Sequence, residues 1–279
     1  MSHRPVVQAP SSELTGHLMV LSKFEDDTRW RVAEWVLHGL ENGERVICGD
    51  PNIAAGRSWF AALLGEAGVA TEAALAERRL LLMSLREFYP PEGQADLVDR
   101  ALEEGYRGVR FVGWARDALG LLPASAYLSF EFAMERYCRT KPVASLCLYD
   151  RAPTGGFDAE GSAAAHFRNI QDDLLQIAES DGVLSLGGEA DSSNIAVLRG
   201  ALAAASSVTD HLVLDLTGLL FLGAAGYGAI VGGTEGLRDH GGSVTLLNPR
   251  PVIARVLRML DVEQLAGVKI RTGLLRERV

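Results

Sequence analysis

The sequence is poor in the residues that most often announce a chemistry. It has three cysteines in 279 residues, Cys48, Cys138 and Cys147, each in an apolar run and far from the others. That number and spacing exclude a disulfide framework and a C-x-x-C metal knuckle, and read as buried reduced thiols. Lysine is nearly absent, at three residues against 24 arginines, and aromatic residues make up 7% of the chain. There is no positive surplus either. The formal net charge is −9, with −5 on residues 1–150 and −4 on residues 151–279, so neither half suits direct nucleic-acid binding. Met1 to Ser12 lacks the apolar core of a signal peptide, which makes the cytoplasm the expected compartment. The one long uncharged stretch, Leu216 to Thr234, has glycine at six positions and is flanked by Asp215 and Glu235. It reads as strand, turn and packed helix, and no membrane span is expected.

Catalytic signatures are missing as well. There is no G-x-S-x-G elbow, no H-E-x-x-H and no G-x-G-x-x-G after a strand. Gly49 to Ser58 follows an apolar run and loosely suggests a phosphate loop. Six residues separate its glycines where such a loop has four, however, and Arg57 stands where it needs lysine. His17, His38, His166, His211 and His240 share no ligand spacing and no helix face. The sequence therefore predicts no catalytic residues, no cofactor and no metal site.

What is present is a regular alternation. Apolar runs at His17–Leu21, Arg45–Cys48, Leu80–Met83, Val109–Val112 and Val143–Leu148 read as strands, with helical patterns between them, including 94–104 and 124–137. Strands separated by helices predict a mostly parallel sheet. Length alone predicts about two domains. The break is expected at Arg151 to Ser162, where Pro, Gly, Asp and Ser interrupt the pattern. A helical run is expected next, because Phe167, Ile170, Leu174, Leu175 and Ile177 make an apolar stripe. Further strands are expected at 183–186, 212–216 and 244–247. Helices are expected after Asp191-Ser192-Ser193-Asn194, over 224–240, and from Asn248-Pro249-Arg250-Pro251 to Leu260.

The segment from His211 to Val262 carries the most information. Leu214-Asp215-Leu216-Thr217-Gly218 ends a strand, an apolar run follows, and Gly223-Ala224-Ala225-Gly226 opens a helix. Gly241-Gly242, an apolar strand and Asn248-Pro249 come next, and Gly187-Gly188-Glu189-Ala190-Asp191 looks like the entry to an earlier helix. In this order the motifs resemble the STAS domain of anti-sigma factor antagonists, over roughly residues 180–275. In that family the helix opens with Asp-Ser-Ser-Gly or Asp-Ser-Thr-Gly, and a serine there is phosphorylated by the kinase activity of the anti-sigma factor. Here the matching positions are Gly223, Ala224, Ala225 and Gly226, a degenerate phosphorylation site without a hydroxyl. Thr217 is the nearest alternative acceptor. The resemblance implies an anti-sigma factor or another STAS protein as partner, contacted through Ser193, Asn194, Thr217, Ala224, Ala225, Tyr227 and Asn248.

The first half resembles the MEDS sensory domain over about residues 14–150. The resemblance is carried by His17 and its strand, Gly39 to Val46, Glu104 to Arg110, and Ala144 to Asp150. It implies a RecA-like fold without a working phosphate loop and a sensor for small hydrocarbon-type ligands. In an open parallel sheet the pocket is expected beyond the carboxyl ends of the strands. The candidate pocket residues are His17, Cys48, Gly49, Trp114 and Tyr149, with Ser22, Lys23, Ser84 and Gly113 along the same edge. The expected architecture is thus α/β: a mostly parallel, RecA-like sensory domain (14–150), a linker and connecting helix (151–179), and a small STAS α/β sandwich (180–279). The expected function is a non-catalytic bacterial signalling regulator. The alternatives are a STAS-based scaffold of a multi-protein stress-signalling complex and a nucleotide-using enzyme on the N-terminal half.

Overall fold

A computed structural model describes residues 16–22, 26–150 and 157–273. Lys23 and residues 151–156 of the expected break at 151–162 lie outside the described residues. The first half contributes five strands, β1 (Gly16–Ser22), β2 (Arg45–Gly49), β3 (Leu80–Met83), β4 (Val109–Trp114) and β5 (Val143–Asp150). Its helices are α1 (Asp26–Glu41), α2 (Trp59–Glu66), α3 (Thr71–Ala76), α4 (Leu85–Phe88), α5 (Ala95–Glu103), α6 (Ala115–Leu121) and α7 (Ala124–Thr140). The strands pair in parallel in the order β3-β2-β4-β5-β1. Strands β2 and β4 are buried along their whole length, as expected where helices cover both faces of a parallel sheet.

After α8 (Ala159–Ala165), the second half supplies β6 (Asn169–Asp172), β7 (Leu175–Ser180) and β8 (Val183–Ala190). It continues with α9 (Ile195–Ser207), β9 (His211–Asp215), β10 (Leu219–Leu222), α10 (Ala224–Gly233) and α11 (Glu235–Asp239). The last elements named here are β11 (Ser243–Leu247), α12 (Pro251–Met259) and β12 (Val268–Arg271). Among the described residues no helix is long and apolar enough to cross a membrane.

Both halves share one sheet. Strand β6 lies parallel to β1, and the antiparallel β6–β7–β8 meander carries the sheet on to β9, β11 and β12. This corrects the expected connecting helix over 167–177. Ile170, Leu175 and Ile177 are buried on alternating strand positions, and Leu174, which completed the helical stripe, sits 37% exposed beside the turn. The residues fit period two as well as period 3.6, and pairing against β1 and β8 decides between them.

Two other expectations change. The helix predicted over 224–240 breaks at Thr234, whose hydroxyl donates to the Ile230 carbonyl at 2.7 Å, a back-bond that bends helices. Gly187-Gly188, expected at a helix entry, lies inside β8, where Gly188 has φ of 81° and faces the Leu174 carbonyl too closely for any Cβ.

The two halves also meet through α8 and α9. Gly200 of α9 packs on the backbone of Glu160, where an added Cβ would lie 2.0 Å from the carbonyl oxygen. Helix α9 in turn packs on α10, with Gly233 against Leu202 and the Ser206 hydroxyl donating to the Gly233 carbonyl.

Candidate functional site

The sheet pleat decides which expected pocket residues meet. His17, Cys147 and Tyr149 fall on the face covered by α7, whereas Cys48 and Trp114 pack in the core on the opposite face. At the carboxyl edge, Phe88 lies against Gly49, where an added Cβ would be 2.8 Å from the ring. Gly113 is equally close to the Tyr89 hydroxyl. The aromatic pair at the end of α4 thus fills the edge where a ligand pocket was expected.

Below that edge, toward the amino end of β1, four polar side chains converge. The parallel register sets His17 opposite Ser145 and Met19 opposite Cys147, so the imidazole and the thiol share a face. Helix α7 turns Tyr127, Glu131 and Met134 onto them, and His166 follows directly after α8. His17 Nε2 lies 2.9 Å from Glu131 Oε2 and 3.3 Å from Cys147 Sγ. Cys147 Sγ is 3.5 Å from the same carboxylate oxygen and His166 Nε2 is 3.3 Å from it. The two imidazoles stack with centroids 3.7 Å apart. All four residues are buried.

The outer nitrogens fix how the rings face. His17 Nδ1 lies 3.2 Å from the Ala165 carbonyl, and His166 Nδ1 lies 2.7 Å from the Ser162 carbonyl. A carbonyl can only accept, so each Nδ1 carries the hydrogen and each Nε2 is aimed at Glu131. Around this centre Tyr127 donates to the Tyr149 hydroxyl at 2.9 Å, and Arg168 donates to Glu135 at 2.7 Å. A cavity of about 20 Å³ adjoins Glu131 and Cys147, lined also by Phe88, Tyr89, Phe130 and Ser145. It is large enough for one water-sized molecule.

Burial would raise the Glu131 carboxyl, but the charge of His166 and the hydrogen bond and charge of His17 outweigh it and hold it at about 2. His166 is pushed down to about 3, by burial first and then by His17. Burial and the nearby carboxylate keep the Cys147 thiol protonated, well above the ordinary thiol range. Nothing in the local pattern joins His17 to His166, which are 149 positions apart. The overlooked signal was Glu131, a carboxylate on the same buried stripe as Tyr127 and Met134.

In the second half the expected partner residues divide in two. Ser193 and Thr217 are exposed, and their hydroxyls donate to Asp191 and Asp215 in the same loops. Asn194 is buried, bonded to the Asp191 amide and the Glu189 carbonyl, and the Asn248 side chain accepts from the Gly273 amide. These two asparagines hold loops together. Ala224 is exposed, Ala225 and Tyr227 are half-buried, and Gly223 caps α10 without a side chain. Just before it, Leu220 and Phe221 are 59% and 50% exposed.

Family models match both halves of this fold, the first as a MEDS sensory domain and the second as a STAS domain. The chain belongs to the MEDS family. The model of that family, the methanogen/methylotroph DcmR sensory domain, matches residues 16–167, and a model described as Mlab, STAS domain, matches residues 174–272. Among solved structures, the chain is similar to the anti-sigma factor antagonist SpoIIAA in its unphosphorylated form, at 21% identity. That match covers 36% of this chain and 89% of that one, with a TM-score of 0.31. An anti-sigma factor antagonist from Mycobacterium paratuberculosis is 24% identical over 34% of this chain and 82% of its own, with a TM-score of 0.30. The phosphorylated Bacillus cell fate determinant SpoIIAA is 19% identical over 36% and 92%, with a TM-score of 0.29. No curated protein matches the chain.

Proposed function

We propose that this chain is a non-catalytic signalling regulator. In this reading the MEDS half receives a signal, and the STAS half binds an anti-sigma factor or a related regulator without a phosphoryl switch. The carrying observation is the start of α10, where Gly223-Ala224-Ala225-Gly226 opens the helix without a hydroxyl, beside the exposed Leu220 and Phe221. Helix amides and dipole would favour a phosphoryl group there, but alanine has no oxygen to carry it. Thr217 is a poor substitute, because its hydroxyl lies 2.6 Å from the Asp215 carboxylate, which would repel a phosphate.

Contacts on both sides of α9 support a route between the halves. His166 follows α8, α8 is seated on α9 at Gly200, and α9 is seated on α10 at Gly233. Nucleotide use by the first half has little support. The Asp50 carboxylate accepts from the Ser58 hydroxyl and the Phe60 amide, and so occupies the end of α2 where a phosphate would sit.

Titration of the full chain with an anti-sigma factor of the kinase type tests the reading. A complex is expected, with Phe221→Asp weakening it by about 10-fold or more, as loss of an aromatic anchor does. An affinity indifferent to Phe221→Asp would place the partner elsewhere. A large assembly of the chain alone in light scattering would favour the scaffold instead.

A further inference from the structure

We propose that His17, Glu131, Cys147 and His166 form a buried binding site for a zinc-class divalent ion in the sensory half. The site stands independently of how the STAS half works. One donor atom from each residue lies within 4.8 Å of every other. A zinc ion bound at about 2.0–2.3 Å to each ligand sets neighbouring donors roughly 3.3–3.8 Å apart. The distances around Glu131 Oε2 and Cys147 Sγ, from 2.9 to 3.5 Å, need only small adjustments to reach that range.

Three further observations favour an ion over a plain hydrogen-bonded core. Each imidazole has its Nδ1–H tied to a backbone carbonyl, an outer arrangement that orients metal-binding histidines. His166 Nε2 is fully buried and makes no well-aligned hydrogen bond, although it points into the cluster. The charges also balance: a divalent ion offsets the Glu131 carboxylate and a Cys147 thiolate, whose proton leaves to solvent as the sulfur–metal bond forms. The donor set of two imidazoles, one thiolate and one carboxylate suits zinc and cobalt better than magnesium or calcium, which prefer oxygen.

The four ligands come from β1, α7, β5 and the turn after α8. Occupancy would therefore pin the segment that leads into the STAS half onto the sensory core.

Cobalt titration of the chelator-stripped full chain tests the site. The expected result is uptake of one cobalt per chain, with a near-ultraviolet thiolate-to-cobalt charge-transfer band that zinc abolishes by displacement. His166→Gln should lower the affinity by more than the about 10–100-fold typical of losing an outer-sphere partner. The Cys48→Ala/Cys138→Ala double variant leaves Cys147 as the only thiol in the chain and should keep the band, so the assignment does not depend on a Cys147 variant folding. No uptake, uptake without the band, or loss of the band in the double variant would overturn the proposal.

Discussion

Gly200→Val lowers the unfolding free energy by about 3 kcal/mol, the upper end of what inserting side-chain atoms into a packed interior costs. The reason is geometric. An added Cβ at this position lies 2.0 Å from the Glu160 carbonyl oxygen and 2.8 Å from its carbon, and backbone cannot swing aside as a flexible side chain can. Helix α8 must then lift from α9, which loosens the seat between the sensory and STAS halves. Gly65→Ala is the internal control. Nothing lies within 4 Å of its added Cβ, so it should raise stability by about 0.5–1 kcal/mol through helix propensity alone. Urea unfolding of both variants measures the contrast. A Gly200→Val midpoint close to that of the parent chain would mean that α8 is not seated on α9.

Glu131→Ala is expected to cost about 3–5 kcal/mol in the metal-free chain, the usual result of removing one partner from a buried charged network. The carboxylate accepts from the Cys147 thiol, lies 2.9 Å from His17 Nε2 and faces His166, so its loss leaves a buried polar cluster without its centre. Glu131→Gln keeps an acceptor and should cost less. The parent chain should also lose stability on acidification. His166 is held down from 6.5 to about 3, so the unfolded chain takes up a proton on His166 that the folded chain refuses as pH falls below 6.5. Glu131 is held down from 4.5 to about 2, so its contribution is present above 4.5 and disappears between there and 2. Both groups act in the same direction. Urea unfolding at a series of pH values should show a steady decline below neutrality, shallower in Glu131→Gln. A flat profile would contradict the charge distribution assigned to the cluster.

Much of the architecture was legible because it depends on local pattern. The apolar runs at Val109–Val112 and Val143–Leu148 can bury both faces only inside a parallel sheet, and the small residues after Phe221 can only open a tightly packed helix. The errors came where a residue fitted two periods or where distant segments met. Leu174 extended a helical stripe that strand pairing overruled. Gly49 looked like part of a phosphate loop, whereas its missing side chain makes room for Phe88. The polar centre was hidden for a topological reason. His17 and Cys147 become neighbours only because β1 inserts beside β5, and His166 joins them only because β6 pairs with β1. Glu131 was the one local clue, a charge placed where its helix is otherwise apolar.

The STAS half is expected to work without a phosphoryl switch. Intact-mass analysis of the full chain after incubation with a kinase-type anti-sigma factor and ATP tests it most directly. The expected result is no added phosphate on the STAS half and a complex that persists in the presence of ATP. Stoichiometric phosphate on Thr217 or another side chain of that half, with release of the partner, would contradict it.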